Sequence, residues 1–306
     1  MNGRLLIVSP VKDEGKYLER TVRSMVAQKR RPDLWIIVDD GSSDNTAAIA
    51  DRAAIDYPWI RVLHRPAGIV RRVGPGVVEA FYAGLESVNW RDYEFVCKLD
   101  GDLEFASTYF AELLERFDAD PRLGTISGKT HIPIGDQFVL ERTGDDFSHG
   151  VAKLYRRTCF EQIGGFVRAV MWDGIDCHRC RMLGWKAESR GDPSLAIRHL
   201  RQMGSSFRSI YHGRWRWGRG QYFMGTSLSY MTGIACYRMF ERPWILGGVC
   251  LMAGYIDATI RRLPQYDDLD FRTHLQDWQA AEVAKRVFGT RTFKPLPPSL
   301  AEGSIG

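Results

Sequence analysis

The chain has 306 residues, 44% of them hydrophobic and 26% charged, enough for one large or two smaller globular domains. Six irregularly spaced cysteines exclude a disulfide framework and fit a reducing compartment. The opening MNGRLLIVSPVKDEG lacks a signal-peptide core, and no apolar run reaches the ~20 residues of a bilayer span. A cytoplasmic protein is expected, at most peripheral on the inner face of the membrane.

Leu5 to Ser9 reads as a buried strand closed by Pro10. Glu14 to Gln28 has helical spacing, with Leu18, Val22, Met25 and Val26 on one face. Leu34 to Val38 is a second strand. It runs into Asp39-Asp40-Gly41-Ser42-Ser43-Asp44-Asn45-Thr46, where Asp44 can cap a helix over 45–54. A third strand spans Trp59 to Leu63, and a helix from Gly74 to Ser87 is entered through Pro75. Glu94 to Leu99 is the fourth strand and ends in Asp100-Gly101-Asp102.

Strand–helix alternation of this kind implies a parallel sheet covered on both faces. Ligands of such sheets bind beyond the carboxyl ends of the strands. Both acidic clusters, 39–40 and 100–102, fall there. Two carboxylates around one glycine repel each other unless a cation lies between them. Oxygen ligands suit Mn2+ or Mg2+, which also hold phosphate oxygens. The plain alternative is a solvated Asp-Gly turn. No GxGxxG follows the first strand and no GxxxxGK[ST] occurs, so dinucleotide and P-loop readings lose their support.

Further along, a helix from about Ser107 ends at Asp118-Ala119-Asp120-Pro121, and Gly124 to Ser127 reads as a strand. Residues 129–150 suggest a loop or irregular hairpin. Val151 to Ile163 reads as a helix stopped by Gly164-Gly165. Asp173 to Leu183 can form another, with Asp173 and Asp176 on one face of its first turn. A carboxylate there is stabilised as an anion and can act as general base or simply cap the helix. Cys177 and Cys180 are a lone CxxC without the further ligands zinc needs, so they read as packed helix cysteines.

Taken together, SPVKDEG at 9–15, IIVDDGSSDNT at 36–46, Gly74-Pro75-Gly76, KLDGD at 98–102, and the later Ile163-Gly164-Gly165-Phe166, Trp172-Asp173-Gly174-Ile175-Asp176 and Leu183-Gly184-Trp185 resemble glycosyltransferase family 2. The resemblance covers residues 4–205. It implies an α/β GT-A fold, a Rossmann-like, mostly parallel sheet flanked by helices. It also implies inverting transfer from a UDP-, GDP- or dTDP-linked sugar to a glycan or lipid-linked hydroxyl. By the resemblance Asp39, with Asp40, holds the base, and Pro10, Val11 and Glu14 line the nucleoside pocket. Arg71 or Arg72 approaches the base or diphosphate. Asp100 faces the ribose side, Lys98 and Gly101 belong to the nucleotide-sugar site, and Asp102 binds the metal. His199 completes the metal site, and Asp173 or Asp176 is the base. The family often has Glu-Asp where this chain has Trp172-Asp173.

The expected organisation is a glycosyltransferase domain over 1–205, with a nucleotide-sugar half (1–103) and an acceptor half (104–205). A basic, aromatic, helical extension follows over 206–293, then a flexible tail over 294–306. From Pro193 to Phe240 the chain has seven arginines and no Asp, Glu or Lys. These fit phosphate or an anionic membrane surface. Nucleic acid is not expected, because the net charge is only +5 and the acidic crevice repels a polyanion. Ser194 to Arg198 reads as a strand, and Phe271 to Phe288 as a helix. Trp244 to Ile256 is apolar but too short to span a bilayer, and suits a core helix, a homodimer contact or a monotopic anchor. Two rival readings remain: a silent nucleotide-sugar-binding protein docking on a membrane or partner, and a sugar-phosphate nucleotidyltransferase. The latter wants a basic Gly-rich loop after the first strand, which SPVKDEG does not supply.

Overall fold

The computed structural model describes residues 3–66, 74–141, 143–201, 210–241 and 243–288. Arg71, Arg72 and the tail 294–306 lie outside them. Contacts divide the chain into two units, residues 1–181 with 185–202, and residues 182–184 with 203–306.

The first unit begins with β1 (Leu5–Val11), α1 (Leu18–Val26), β2 (Leu34–Asp39), α2 (Thr46–Asp56), β3 (Ile60–His64), α3 (Pro75–Leu85) and β4 (Phe95–Leu99). It continues through β5 (Leu103–Phe105), α4 (Tyr109–Ala119), β6 (Leu123–Gly128) and the hairpin β7 (Thr130–Ile134) and β8 (Gln137–Leu140). Then come β9 (Ala152–Arg156), α5 (Arg157–Gln162), α6 (Trp172–Met182), β10 (Lys186–Arg190) and β11 (Ile197–His199). The main sheet has the order β10-β6-β9-β4-β1-β2-β3. β1, β2, β4 and β6 are buried along their whole length, as parallel strands covered on both faces must be. One face packs α1, α2 and α4 through Leu18, Met25, Ala50 and Phe110. The other packs α3, α5 and α6 through Val78, Phe81, Phe160 and Cys177.

Residues 151–163 correct the single helix expected there. Ala152–Arg156 is a strand, antiparallel to both β4 and β6, and only Arg157–Gln162 is helical. Its alternation is real but disguised. Ala152 and Leu154 join the core on one face and Tyr155 the core on the other, while Lys153 occupies an interior position that a polarity pattern reads as surface. The strand expected over 194–198 is likewise shifted. Pro193–Leu195 forms a 3-10 turn, and β11 follows at Ile197–His199. β11 lies in a second sheet of order β5-β11-β7-β8. Its pairing with β5 sets His199 opposite Leu103, next to Asp102.

The second unit holds α7 (Ile210–Met224), α8 (Leu228–Arg238), α9 (Ile245–Ile260) and α10 (Leu269–Phe288). α7 and α9 approach backbone to backbone. A Cβ on Gly218 would lie 1.9 Å from the Leu251 carbonyl oxygen, and one on Gly254 the same distance from that of Trp215. α9 therefore has two faces. Gly247, Leu251, Gly254 and Ala258 are buried, whereas Ile245, Leu246, Val249, Ile256 and Ile260 are exposed. No helix among the described residues is long and apolar enough to cross a membrane.

Candidate active site

The carboxyl ends of β1, β2 and β4 lie side by side. Val11, last in β1, is in register with Asp39, last in β2. Asp39 is buried, accepts from the Ser42 amide (3.0 Å) and faces His64 Nδ1 at 3.1 Å. The other His64 nitrogen reaches Asp51 at 3.0 Å. The Asp39 hydrogen bond, set against partial burial and helped by Asp51, lifts the His64 pKa above its usual value. Asp40 pairs with Arg65, and its carbonyl accepts from Lys12 Nζ (2.9 Å). Burial raises the Asp40 pKa although Arg65 and Lys12 oppose it. The expected cap is shifted by one residue: α2 starts at Thr46 with Asn45 as N-cap, and Asp44, just before it, accepts from the Thr46 amide at 3.0 Å. Glu14, also buried, donates its amide to Thr46 Oγ1 (2.7 Å). Pro10 is buried within β1.

At the end of β4 the chain turns at Gly101, where a Cβ would lie 2.6 Å from Val11 Cγ1. The glycine thus lets the DGD segment pack onto β1. Asp102 is fully buried. Its Oδ2 faces His199 Nε2 at 3.2 Å and Arg201 Nε at 2.6 Å, while Oδ1 accepts no hydrogen bond among the described residues. Burial works against the Asp102 charge, but His199, Arg201 and Lys98 outweigh it and hold the carboxyl below its ordinary range. Arg201 also reaches Glu14 Oε1 at 2.6 Å, so it bridges the first and fourth strand ends.

Asp100, Asp102 and His199 each offer a ligand atom within 4.8 Å of the others. This triad fits a divalent cation on two counts. The buried Asp102 Oδ1 is without a donor, a costly state unless something charged satisfies it. The His199 ring lies with Nδ1 2.6 Å from the Arg201 carbonyl oxygen. A proton on Nδ1 would leave the Nε2 lone pair aimed at a carboxylate, the arrangement a metal between them resolves.

Asp173 opens α6 and is half-buried. Its carboxylate lies against Gly150, where a Cβ would come within 2.7 Å of Oδ2. The Gly150 carbonyl accepts from Lys98 Nζ (2.7 Å), which also holds Asp100. A continuous path thus joins the DGD segment to the start of α6. Burial raises the Asp173 pKa, and Lys153 and Lys98 counter it in part. Asp176 is placed differently. Its carboxylate is 1% exposed and engaged by Lys153 and Tyr155 inside the core. Cys177 and Cys180 are buried as well.

Residues 6–167, more than half of the chain, match the family model for glycosyl transferase family 2. The chain belongs to that family. Among curated members it is 29% identical over 147 residues to polyprenol monophosphomannose synthase of Mycolicibacterium smegmatis, covering 42% of this chain and 52% of that one. It is 28% identical over 123 residues to poly-beta-1,6-N-acetyl-D-glucosamine synthase of Staphylococcus aureus, covering 39% of this chain and 27% of that one. The chain therefore spans about half, or less, of the length of these relatives. Two solved structures share the fold. A mannosyltransferase from Pyrobaculum calidifontis in complex with GDP-Man and Mn2+ superposes with a TM-score of 0.55 at 17% identity, over 95% of this chain and 89% of that one. S. aureus TarS 1-349 gives 0.52 at 13% identity, over 91% and 82%. The α/β fold with C-terminal helices is GT-A.

Arg201, His64, Gly150 and Lys153 were not singled out by the sequence. Arg201 stood as one of seven arginines, and nothing local marks it as the partner of a glutamate 187 positions away.

Proposed function

We propose that this family 2 glycosyltransferase moves a sugar from a nucleotide diphospho-sugar to an acceptor hydroxyl with inversion, in the building of a cell-surface glycan or glycolipid. The observation that carries the reading is the path from Asp102 through Asp100, Lys98 and Gly150 to Asp173. It sets a cation-binding group and a half-buried carboxylate beside the same strand end. Asp39 binds the nucleoside base with Asp40 behind it, and Pro10, Val11 and Glu14 line that pocket. Arg71 or Arg72 would approach the base or diphosphate.

Asp102, Asp100 and His199 would hold the cation, Mn2+ or Mg2+. Such an ion, when bound, neutralises charge that builds on the departing diphosphate. Arg201, already drawn to Asp102 and Glu14, is within the same constellation and suits phosphate oxygens as a planar fork. Asp173 accepts the proton of the attacking hydroxyl. Asp176, spent on Lys153 and Tyr155, keeps α6 in place. The hydroxyl attacks the anomeric carbon on the face opposite the departing diphosphate, so this single displacement inverts that carbon and needs no enzyme nucleophile.

GDP-mannose and UDP-N-acetylglucosamine are the donors to try first, since structural neighbours hold them. Each is incubated with the protein and Mn2+, and released nucleoside diphosphate is measured. The expected result is metal-dependent release above background from one of them, stripped by EDTA and restored by Mn2+. Binding of both donors without release would favour the silent nucleotide-sugar-binding protein.

The second unit suits an anionic lipid surface. Trp244, Phe240 and Tyr237 are exposed beside the apolar row of α9, and Arg238, Arg242, Arg261 and Arg262 outnumber Glu241 and Asp257 along this segment. Apolar side chains flanked by aromatic and basic groups are what an interfacial helix presents. The protein is expected to float with phosphatidylglycerol-containing vesicles, and an Ile245→Ser, Val249→Ser double variant to stay in the dense fraction. Equal flotation of both would remove α9 as the contact.

A further inference from the structure

Lys98 and Lys153 stand directly opposite each other across the β4–β9 pair, 3% and 0% exposed. Like charges placed opposite one another weaken a sheet, and a buried ammonium is costly unless fully paired. Both lysines are fully engaged, but in different directions. Lys98 turns to Asp100 and the Gly150 carbonyl. Lys153 Nζ donates to the Asp173 carbonyl (2.7 Å), to the Asp176 carboxylate and to Cys177 Sγ (3.3 Å). The same Asp176 oxygen accepts from the Tyr155 hydroxyl, and Asp176 Oδ1 accepts from the Cys177 amide (2.6 Å). The Trp172 ring centre lies 5.3 Å from one ammonium nitrogen and 5.6 Å from the other, within cation–π range.

We propose that Lys153, with Lys98 beside it, is a positioning residue for the general base: it pins the first turn of α6 through the Asp173 carbonyl and lays a fixed positive charge beneath the Asp173 carboxylate. The proposal rests on the reading of Asp173 as base. A merely structural ion pair would need only Asp176. Lys153 instead spends a hydrogen bond on the backbone of the very residue whose side chain faces Gly150.

The electrostatics agree. Burial opposes the Lys153 charge, yet Asp176, Cys177 and Asp173 hold its pKa above the ordinary value. The charged groups facing Asp173 are Lys153 on β9, Lys98 on β4 and Asp176 on its own helix. The lysines favour the ionised carboxylate and Asp176 disfavours it, with Lys153 the largest of the three. Without Lys153 the base would stay protonated to a higher pH.

The test is a double variant, Lys153→Met with Asp176→Leu, which removes both charges together so that neither is left buried alone. Nucleoside diphosphate release is followed against pH with Mn2+ and the donor that the wild type turns over. The expected result is kcat lowered about tenfold or more near neutral pH, donor KM unchanged, and the acid limb moved to higher pH. Should that variant not fold, Lys153→Gln with Asp176→Asn carries the test, a neutral pair that strands no charge and keeps polar groups for the Tyr155 hydroxyl and the Asp173 carbonyl. The acid limb again moves to higher pH. A folded variant with the wild-type kcat and acid limb overturns the proposal. Asp173→Asn is run alongside. Near-normal turnover there sinks the base assignment itself, whereas an inactive Asp173→Asn beside an unmoved limb sinks only the role of Lys153.

Discussion

Asp102→Ala is expected to lower turnover by about 10²-fold or more and to abolish Mn2+ binding. The carboxylate is fully buried, its Oδ1 has no hydrogen-bond donor among the described residues, and Oδ2 already faces two cationic groups. Removing it leaves Asp100 and His199 as the remaining members of the triad, too few for a hard ion that prefers six or more oxygen-rich contacts. The fold should survive, because Arg201 keeps Glu14 as partner and is not stranded. Near-ultraviolet circular dichroism checks the fold, and the electron paramagnetic resonance signal of free Mn2+ reports binding without reference to activity. Unchanged Mn2+ affinity in a folded variant would falsify the metal assignment.

Asp173→Asn should cost about 10²- to 10⁴-fold in kcat with little change in donor KM. The asparagine is isosteric, so it keeps the packing against Gly150 and removes only the capacity to take a proton. In the wild type the acid limb is a second signature. Burial raises the Asp173 pKa while Lys153 and Lys98 oppose it. The active form is the carboxylate, so activity is present above that raised value and lost as pH falls through it. The loss therefore begins at a higher pH than for a solvent-exposed aspartate. A kcat profile whose acid limb sits where an ordinary carboxylate titrates would contradict the burial of this group.

Much of the acidic cluster at the strand ends was readable beforehand, for a physical reason. Leu34 to Val38 is a short apolar run and Phe95 to Leu99 an almost apolar one, broken only by Lys98 next to its end; both stop abruptly in Asp and Gly, and a strand that ends so places its acids at the sheet's edge whatever the rest of the chain does. Asp39, Asp100 and Asp102 were legible because their placement depends on neighbours within a few positions. Arg201 and Lys153 were not, because their partners lie 187 and 23 positions away. The strand at Ala152–Arg156 (AKLYR) was hidden by a related effect, since, unlike in β4, its lysine falls at the second position and an arginine ends it. A lysine at an interior position breaks the alternation that pattern reading relies on, and only the carboxylate of Asp176 makes that lysine tolerable there. That Asp176 is paired in the core while Asp173 is half-buried also required coordinates, since both fall on one helical face and differ only in what surrounds them.

The register of β4 against β9 has a consequence for how such an enzyme can diversify. Strand pairing is hard to shift, since a one-residue slip would invert every side chain of β9. The spacing between the DGD turn and the opening of α6 is therefore held by the paired strands together with the Lys98 and Lys153 side chains that reach the Gly150 and Asp173 carbonyls. Segments beyond the strand ends are free to lengthen, shorten or change composition without disturbing that spacing. Lineages could swap one saccharide or recipient for another while inheriting the same reaction unchanged.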